Sequence, residues 1–282
     1  MNLSISPGKN NVGAYINDIN LKSLDQDQAT EIKKILNKYG VIFIKEQNLD
    51  PETYQNFAKN IGQPVVYPRL KGLDEKFPFI NVIERKPDDK NLSFGSSWLH
   101  QDTSYLANDR PRYTMLMGIE IPVGQGNTIF SSGFNAYDKL PDDIKEKIKD
   151  ATGVFSSAGP IAITRLEREK EMGIKSSESM EAEHPIVITV DGKKTLYVSP
   201  GHLMKIKNVK EDEAEYLKNY LVDHVNKEDF IFSYEWTKGD ICLWDNLSIL
   251  HMASEIKNCR RVMHRITTVS YTHLTLPTNR EV

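Results

Sequence analysis

The sequence predicts a mainly β fold with flanking helices, an α+β arrangement in which the strands form a sandwich or jelly roll. Short apolar runs bounded by turn residues recur along the chain, Asp191-Gly192 marks a hairpin, and few segments show helical spacing. No linker rich in Pro, Gly or Ser divides the chain. We therefore expect one domain over residues 1–270, with residues 167–183 as a charged, mobile insertion.

Four helices are predicted, the first two of them from the residues at their ends. Residues 25–38 repeat apolar side chains at helical spacing and stop at Gly40. Asp50 and Pro51 supply an N-cap and a first-turn proline for a helix that ends before residue 62. Two further helices are predicted at residues 141–149 and 211–225. These helices are minority elements, which leaves strands to form most of the remaining structure.

Short strands are predicted over much of the rest of the chain. Residues 41–44 are apolar throughout, which indicates a strand buried on both faces. Lys238-Gly239-Asp240 makes a turn ahead of another apolar run. The other strands are predicted at residues 113–121, 128–131, 186–190, 195–198, 230–236, 240–244 and 262–269.

Composition and charge exclude several kinds of partner. With 36 basic and 39 acidic residues the formal net charge is -3, so we expect no nucleic acid partner. No run approaches the roughly 18 apolar residues of a spanning helix, and the first residues lack the apolar stretch of an export signal. We expect no membrane partner, a cytoplasmic location and reduced thiols at Cys242 and Cys259. Residues 271–282 show no apolar period and are interpreted as a tail, a candidate translation artefact.

Two histidines and a carboxylate suggest a metal centre. His100 and Asp102 stand two residues apart, so in an extended strand both side chains would project to the same face and reach one metal. Such a triplet alone arises readily by chance. His251 follows an apolar strand and a polar turn much later in the chain. Two histidines and one carboxylate on one metal face leave positions open for other ligands, which suits a non-haem iron(II) oxygenase.

A group of arginines soon after His251 could hold the carboxylate of a cosubstrate. Arginine's planar fork pairs with a carboxylate through two hydrogen bonds. In an extended strand over residues 260–265, Arg261 and Arg265 share one face and Arg260 lies on the other. We expect Arg261 and Arg265 to face one cavity, although a solvated basic cluster would give the same pattern.

Five ordered blocks within residues 15–269 resemble one family. The blocks are residues 98–105, 126–128 with 135–141, 183–187, 244–251 and 260–265. In this order and spacing they are similar to the taurine dioxygenase family of iron(II)- and 2-oxoglutarate-dependent oxygenases, which includes 2,4-dichlorophenoxyacetate and alkylsulfate dioxygenases. The resemblance implies a double-stranded β-helix, which agrees with the jelly roll predicted from the strands.

The resemblance also implies roles for individual residues. His100, Asp102 and His251 match the iron(II) ligands at the catalytic centre, where 2-oxoglutarate and O2 are the cosubstrates. Thr128 and Arg261 match the residues that hold the far carboxylate of 2-oxoglutarate. Arg265 matches an arginine that reaches the substrate anion. We also expect substrate contacts from Tyr67, Thr103, Phe155 and His202.

The expected substrate departs from taurine, because Tyr67 stands where the taurine enzymes carry a sulfonate-contacting histidine. We predict hydroxylation of a small anionic organic molecule (a sulfonate, sulfate ester or carboxylate) that is somewhat larger and less polar than taurine, with release of succinate and carbon dioxide. The alternative is a non-catalytic jelly roll that binds an anionic small molecule. The sequence does not determine the number of subunits, and a homo-oligomer is one of the possible states.

Overall fold

The structure, a computed structural model, describes residues 3–67, 70, 72–90, 92–108, 110–162, 166, 170 and 179–269. The expected tail at residues 271–282 and most of the expected insertion at residues 167–183 lie outside the described residues.

Local capping accounts for the starts of the first two helices that the sequence predicts. The Asp25 carboxylate accepts from the Gln28 backbone while the Gln28 side chain accepts from the Asp25 backbone, a capping box that contributes about 1 kcal/mol to helix stability. Asp50 caps the second helix through the Thr53 backbone N–H. Within the described residues, none of the helices combines the length and apolar character needed to span a membrane. The α-helices are α1 (Gln26–Tyr39), α2 (Pro51–Ile61), α3 (Gly133–Asp138), α4 (Asp142–Ile148) and α5 (Ala214–Val225).

Strands make up most of the remaining regular structure. They are β1 (Ser4–Pro7), β2 (Ala14–Asn17), β3 (Val41–Ile44), β4 (Gln63–Val65), β5 (Asn81–Arg85), β6 (Tyr113–Glu120), β7 (Thr128–Ser132), β8 (Thr152–Ser156), β9 (Glu181–Pro185), β10 (Val187–Val190), β11 (Lys193–Leu196), β12 (Leu203–Lys207), β13 (Ile231–Tyr234), β14 (Ile241–Asp245), β15 (Ile249–Ala253) and β16 (Arg261–Val269).

In the described part of the chain these strands form one eight-stranded sheet and three smaller sheets. The large sheet has the order β1-β2-β3-β14-β6-β16-β4, with β5 also paired to β16. The sheet β13-β7-β15 and the sheet β12-β8-β9 have three strands each, and β10 and β11 form a hairpin. Most neighbours are antiparallel and distant in sequence, which confirms the predicted jelly roll with flanking helices.

The central strands of the large sheet are apolar throughout because both of their faces are buried. Ile42 and Ile44 on β3 pack with α1 and α2 in a helix-side core. Phe43 belongs to an inter-sheet core that also contains Trp244 from β14 and Phe130 from β7. Alternate residues of one strand therefore enter two different cores, as the two-residue period of a strand requires. A third core lies beneath α5 and includes β8 and β11.

Several elements differ from the sequence prediction. The strand expected at residues 195–198 is β11, which begins two residues earlier, and the strand expected at residues 230–236 follows a 3-10 helix, Glu228–Phe230. Residues 211–213 are likewise a 3-10 turn ahead of α5. Strands β1, β2, β4, β5, β8, β9, β12 and β15 and helix α3 had no prediction. Many of these are short and partly polar, so distant pairing partners rather than local pattern determine them.

His224 should make the fold sensitive to mild acid. This α5 residue is buried, and its Nε2 donates to the Ala136 carbonyl at 2.8 Å. Burial lowers the pKa of His224, whereas the unfolded side chain titrates near 6.5, so below that pH the unfolded chain binds more protons and stability falls. We expect His224→Gln, which can still donate to Ala136, to reduce the loss of Tm between about pH 7 and pH 5. Thermal unfolding at both pH values measures this, and an identical loss in both proteins would assign the effect to other groups.

Candidate active site

Tertiary pairing brings the three predicted metal ligands together. His100, Asp102 and His251 are all buried, and their ligand atoms lie within 4.8 Å of one another. The His100 N–H donates to the His251 carbonyl at 3.0 Å, and the His251 N–H donates to the His100 carbonyl at 2.9 Å. This single bridge beside β15 places the two imidazole centroids 4.4 Å apart.

The prediction that His100 and Asp102 share an extended strand is wrong. His100 makes one isolated bridge, and the chain then turns over residues 102–105. Thr103 in this turn has φ +47°, a left-handed conformation that β-branched residues rarely adopt. The turn, rather than strand alternation, directs Asp102 towards the histidines.

Both imidazoles are held by their surroundings. His100 Nδ1 lies 3.0 Å from the Trp98 carbonyl, which can only accept, so Nδ1 carries the proton and Nε2 is left as the ligand atom. Gly95, at φ +70°, makes room for this ring, since a Cβ there would lie 3.3 Å from His100 Cε1. The His251 ring packs against Trp244 with centroids 4.5 Å apart.

The surroundings of the three side chains shift their pKa values in the directions that suit metal binding. Burial lowers the pKa of His100 and, with added repulsion from His100, lowers that of His251 well below its ordinary value. Burial alone would raise the pKa of Asp102, but Arg265 and the two histidines hold it below its usual range. Neutral imidazoles beside an ionised carboxylate are the protonation states that metal ligation requires.

Arg261 presents open hydrogen-bond donors inside the same cavity. It is 6% exposed, and its Nε and Nη2 find no partner among the described residues. Burial lowers the pKa of Arg261 to about 10. The Thr128 hydroxyl accepts from Trp236 Nε1 at 2.9 Å, so its own hydrogen can be donated to an anion. Gly126, at φ +75°, leaves space where a Cβ would lie 2.8 Å from Arg261 Cδ. Together these groups suit a bound carboxylate.

Arg265 faces the cavity but already has a negative partner. Its Nη2 lies 2.8 Å from Asp102 Oδ2, and its guanidinium carbon lies 4.9 Å from the centre of the Tyr67 ring. Its Nη1 has no partner in the described part of the chain. Asp102 therefore supplies one counter-charge to Arg265.

The remaining substrate candidates are His202, Thr103 and Phe155. His202 lies beside it, with its ring centroid 5.9 Å from that of His100 and its Nδ1 2.9 Å from Ser104 Oγ. Thr103 is buried, and its hydroxyl has no partner among the described residues. Phe155 lies in the third core, 5.7 Å from His184 between ring centroids, because it occupies the face of β8 that carries that core.

The cavity that contains the triad lies between the large sheet and the sheet β13-β7-β15. The charged residues among its described lining are Asp102, Arg261 and Arg265. A larger cavity of about 720 Å³ adjoins it and shares Ala253. The lining of the triad cavity comprises Ile83, Phe94, Gly95, His100, Asp102, Leu116, Thr128, Trp244, His251, Ala253, Arg261 and Arg265.

Sequence reasoning missed two residues, Thr114 and Asn246, that belong to the hydrogen-bond network of Asp102. Thr114 donates to Asp102 Oδ2 at 2.6 Å, and Asn246 in turn donates to Thr114. One signal was present for Thr114, since it is a small polar residue at the start of the apolar run of β6. Asn246 was visible only as part of the resemblance. No local pattern indicates that Trp236 would hold Thr128.

Comparison with known proteins decides the family. The family model described as taurine catabolism dioxygenase TauD, TfdA family matches residues 4–267, nearly the whole chain. The chain belongs to this family. Membership confirms the predicted enzyme class, a 2-oxoglutarate-dependent dioxygenase.

Two named relatives and one solved structure resemble the chain over most of its length. The alkylsulfatase of Acinetobacter baylyi is 30% identical over 269 residues, covering 91% of this chain and 81% of that protein. The alpha-ketoglutarate-dependent sulfate ester dioxygenase of Pseudomonas putida is 27% identical over 279 residues, covering 95% and 89% respectively. A solved taurine dioxygenase from Burkholderia xenovorans has a TM-score of 0.78 at 25% identity and covers 96% of this chain and 90% of its own. These similarities support the double-stranded β-helix.

Proposed function

We propose that this chain holds iron(II) on His100, Asp102 and His251 and uses 2-oxoglutarate and O2 to hydroxylate a small anionic organic substrate, with release of succinate and carbon dioxide. The observation that carries the proposal is the position of the Arg261 guanidinium, buried with open donors in the same cavity as the triad. A metal-binding triad and a carboxylate-binding fork in one cavity are the two parts that this chemistry needs.

The donor set fits iron(II). Two imidazoles and one carboxylate suit an ion that keeps further positions open, and Arg261 offers a partner for an acidic cosubstrate. When bound, iron(II) would supply the O2 activation and C–H oxidation that side chains alone cannot perform. The Trp98 carbonyl orients His100, and burial keeps water from the three ligands.

Arg261 and Thr128 would bind the far carboxylate of 2-oxoglutarate. The guanidinium offers Nε and Nη2, and the Thr128 hydroxyl offers the hydrogen that its bond from Trp236 leaves available. Both side chains line the cavity that also contains the triad, which puts the proposed carboxylate site and the proposed metal site in one cavity.

The charge of the cavity favours a substrate with one negative charge. Its described charged lining has two arginines, Arg261 and Arg265, against the single carboxylate of Asp102, which leaves one positive charge in excess. Iron(II) and dianionic 2-oxoglutarate would cancel each other. A monoanionic substrate would neutralise the remaining charge, and Arg265 Nη1 offers it an open donor.

The cavity walls favour a substrate with an apolar body. Ile83, Leu116 and Trp244 line the triad cavity, and Tyr67 packs over Arg265. The names of two relatives, alkylsulfatase and sulfate ester dioxygenase, agree with an organic sulfate ester. We therefore place alkyl sulfates and alkanesulfonates first among the candidates.

Substrate charge can be tested with the wild-type protein. Succinate formation would be measured with iron(II), 2-oxoglutarate and n-alkyl sulfates, alkanesulfonates and carboxylates, each compared with the neutral n-alkanol of equal chain length. Because a neutral compound leaves the excess positive charge unbalanced, we expect kcat/KM to be at least about 10-fold higher for the anions, equivalent to about 1.4 kcal/mol. The hydroxylated product would be identified by mass spectrometry.

The same measurements distinguish the alternatives. Equal turnover of anions and neutral compounds would refute the charge argument while leaving the reaction class intact. A non-catalytic jelly roll that binds an anionic small molecule would form no succinate with any compound, whatever its charge.

A further inference from the structure

We propose that Thr114 and Asn246 are positioning residues that present one chosen oxygen of Asp102, Oδ1, to the metal. The inference rests on the proposed metal centre. It assigns roles to two buried residues that are absent from the described lining of the triad cavity.

A chain of hydrogen bonds runs from the inter-sheet core to the ligand carboxylate. Trp244 Nε1 donates to Asn246 Oδ1 at 3.0 Å. Asn246 Nδ2 donates to Thr114 Oγ1 at 2.8 Å, and Thr114 Oγ1 donates to Asp102 Oδ2 at 2.6 Å. All four side chains are buried, so water competes little with these bonds.

The donors and acceptors along this chain can be assigned in one direction only. An indole N–H can only donate, so Trp244 must face the amide oxygen of Asn246 and not its nitrogen. The amide nitrogen is thereby directed at Thr114, whose hydroxyl must accept. A hydroxyl has one hydrogen, and with its lone pair engaged by Asn246, that hydrogen of Thr114 points to Asp102 Oδ2.

Arg265 approaches the same carboxylate oxygen. Its Nη2 lies 2.8 Å from Asp102 Oδ2, so this oxygen has two donors, one of them charged. Asp102 Oδ1 is the oxygen 3.7 Å from His251 Nε2, on the side of the triad. Because Thr114 and Arg265 both donate to Oδ2 and neither donates to Oδ1, metal binding through Oδ1 alone is favoured.

Binding through one oxygen has a consequence for the chemistry. If both oxygens of Asp102 bound the ion, the second oxygen would occupy a coordination position that a keto acid or O2 requires. Thr114 and Asn246 would therefore keep that position available as well as strengthen metal binding. The geometry requires the Thr114 hydroxyl rather than its bulk, because its oxygen makes both contacts.

The test measures binding of Mn²⁺ alone to the metal-free full-length chain, by electron paramagnetic resonance of the free ion. Thr114→Val keeps the side-chain shape and removes the hydroxyl. We expect it to raise the Kd for Mn²⁺ roughly 10- to 100-fold, the usual effect of losing a residue that supports a metal ligand. Thr114→Ser, which keeps the hydroxyl, should stay within about 3-fold of wild type. Thr114→Ala removes the same hydroxyl and replaces the valine variant if that protein does not fold.

Thr268→Val is the matched control. Thr268 is a fully buried threonine of β16 whose hydroxyl has no hydrogen-bond partner among the described residues. It should change the Kd by less than about 2-fold, because it has no bond to a metal ligand to lose. Equal Kd values for Thr114→Val and Thr268→Val, or failure of serine to restore binding, would overturn the positioning role. Failure of the wild-type chain to bind Mn²⁺ would instead refute the metal centre itself, and the positioning role with it.

Asn246 is tested through its coupling to Thr114. If Asn246 acts through the Thr114 hydroxyl, Asn246→Leu should weaken Mn²⁺ binding in the wild-type background and much less in the Thr114→Val background. If the two substitutions act independently, the double variant will show the product of their separate fold-changes in Kd. Asn246 would then act through its direct bond from the Asp102 backbone N–H, which lies 3.4 Å from Asn246 Oδ1, and the proposed chain through Thr114 would be excluded. The Tm of each variant, measured in parallel, separates loss of fold from loss of metal binding.

Discussion

Replacement of His251 with alanine should lower 2-oxoglutarate-dependent succinate formation by more than about 100-fold, since loss of a ligand should exceed the effect of losing a supporting residue. His251 offers one of three candidate ligand atoms that lie within 4.8 Å of one another, and neither of the other two residues can reproduce its position. The fold should persist, because the backbone bridge to His100 does not use the imidazole. Binding of Mn²⁺, followed by titration, should weaken in parallel with turnover.

His264→Ala provides the control for this substitution. His264 belongs to β16 and is absent from the described lining of the triad cavity, and burial lowers its pKa as it does that of His251. The control should retain Mn²⁺ binding. Near wild-type turnover in His251→Ala would remove His251 from the metal centre.

Replacement of Arg261 with methionine should produce two opposite effects. Removing one partner of a buried charge pair costs about 3 kcal/mol, so the Kd for 2-oxoglutarate should rise roughly 100-fold. In the absence of 2-oxoglutarate the Tm should increase, because burial of the unpartnered guanidinium opposes folding, as the lowered pKa of Arg261 indicates. Calorimetric titration with 2-oxoglutarate and thermal unfolding without it measure the two effects.

Arg260→Met is a matched control for the neighbouring arginine. The Arg260 side chain is 47% exposed and pairs with Glu84 and Glu120 outside the cavity, so the Kd for 2-oxoglutarate should change little. Mn²⁺ binding should be unaffected in both variants. Equal weakening of 2-oxoglutarate and Mn²⁺ binding in Arg261→Met would indicate that Arg261 supports the fold only.

Sequence pattern predicted the elements whose causes are local or strongly apolar. The Asp25 capping box, the Asp50-Pro51 start of α2 and the terminating Gly40 involve residues a few positions apart. Strand β3 is apolar at every position because both faces are buried, and its bounds were predicted correctly. Strand β9 had no prediction, since Glu181 and Glu183 point outwards and pairing with β8 determines it.

For the candidate site, the sequence predicted the identity of the clustered residues but not the backbone conformation that brings them together. His100, Asp102, His251, Thr128 and Arg261 line one cavity, yet Asp102 reaches it through a turn that the His-x-Asp spacing does not reveal. Phe155 was predicted to contact the substrate, but it lies in the third core and is absent from the described lining of the triad cavity. An apolar residue on a buried strand can enter either of two cores, and only the packing of the sheets selects one.

The sequence by itself determined the residue types of the candidate metal ligands, the arginine pair on one strand and the local signals of the first two helices. These features depend on side-chain chemistry and short-range geometry. Tertiary structure decided the contacts that tune them. The pairing of Arg265 with Asp102 and the chain from Trp244 through Asn246 and Thr114 join groups from different strands and loops. Hydrogen bonds between such groups form only when the donor and acceptor are placed to within a few tenths of an ångström. The pairing of the strands and the packing of the cores set these positions, and sequence spacing does not encode them.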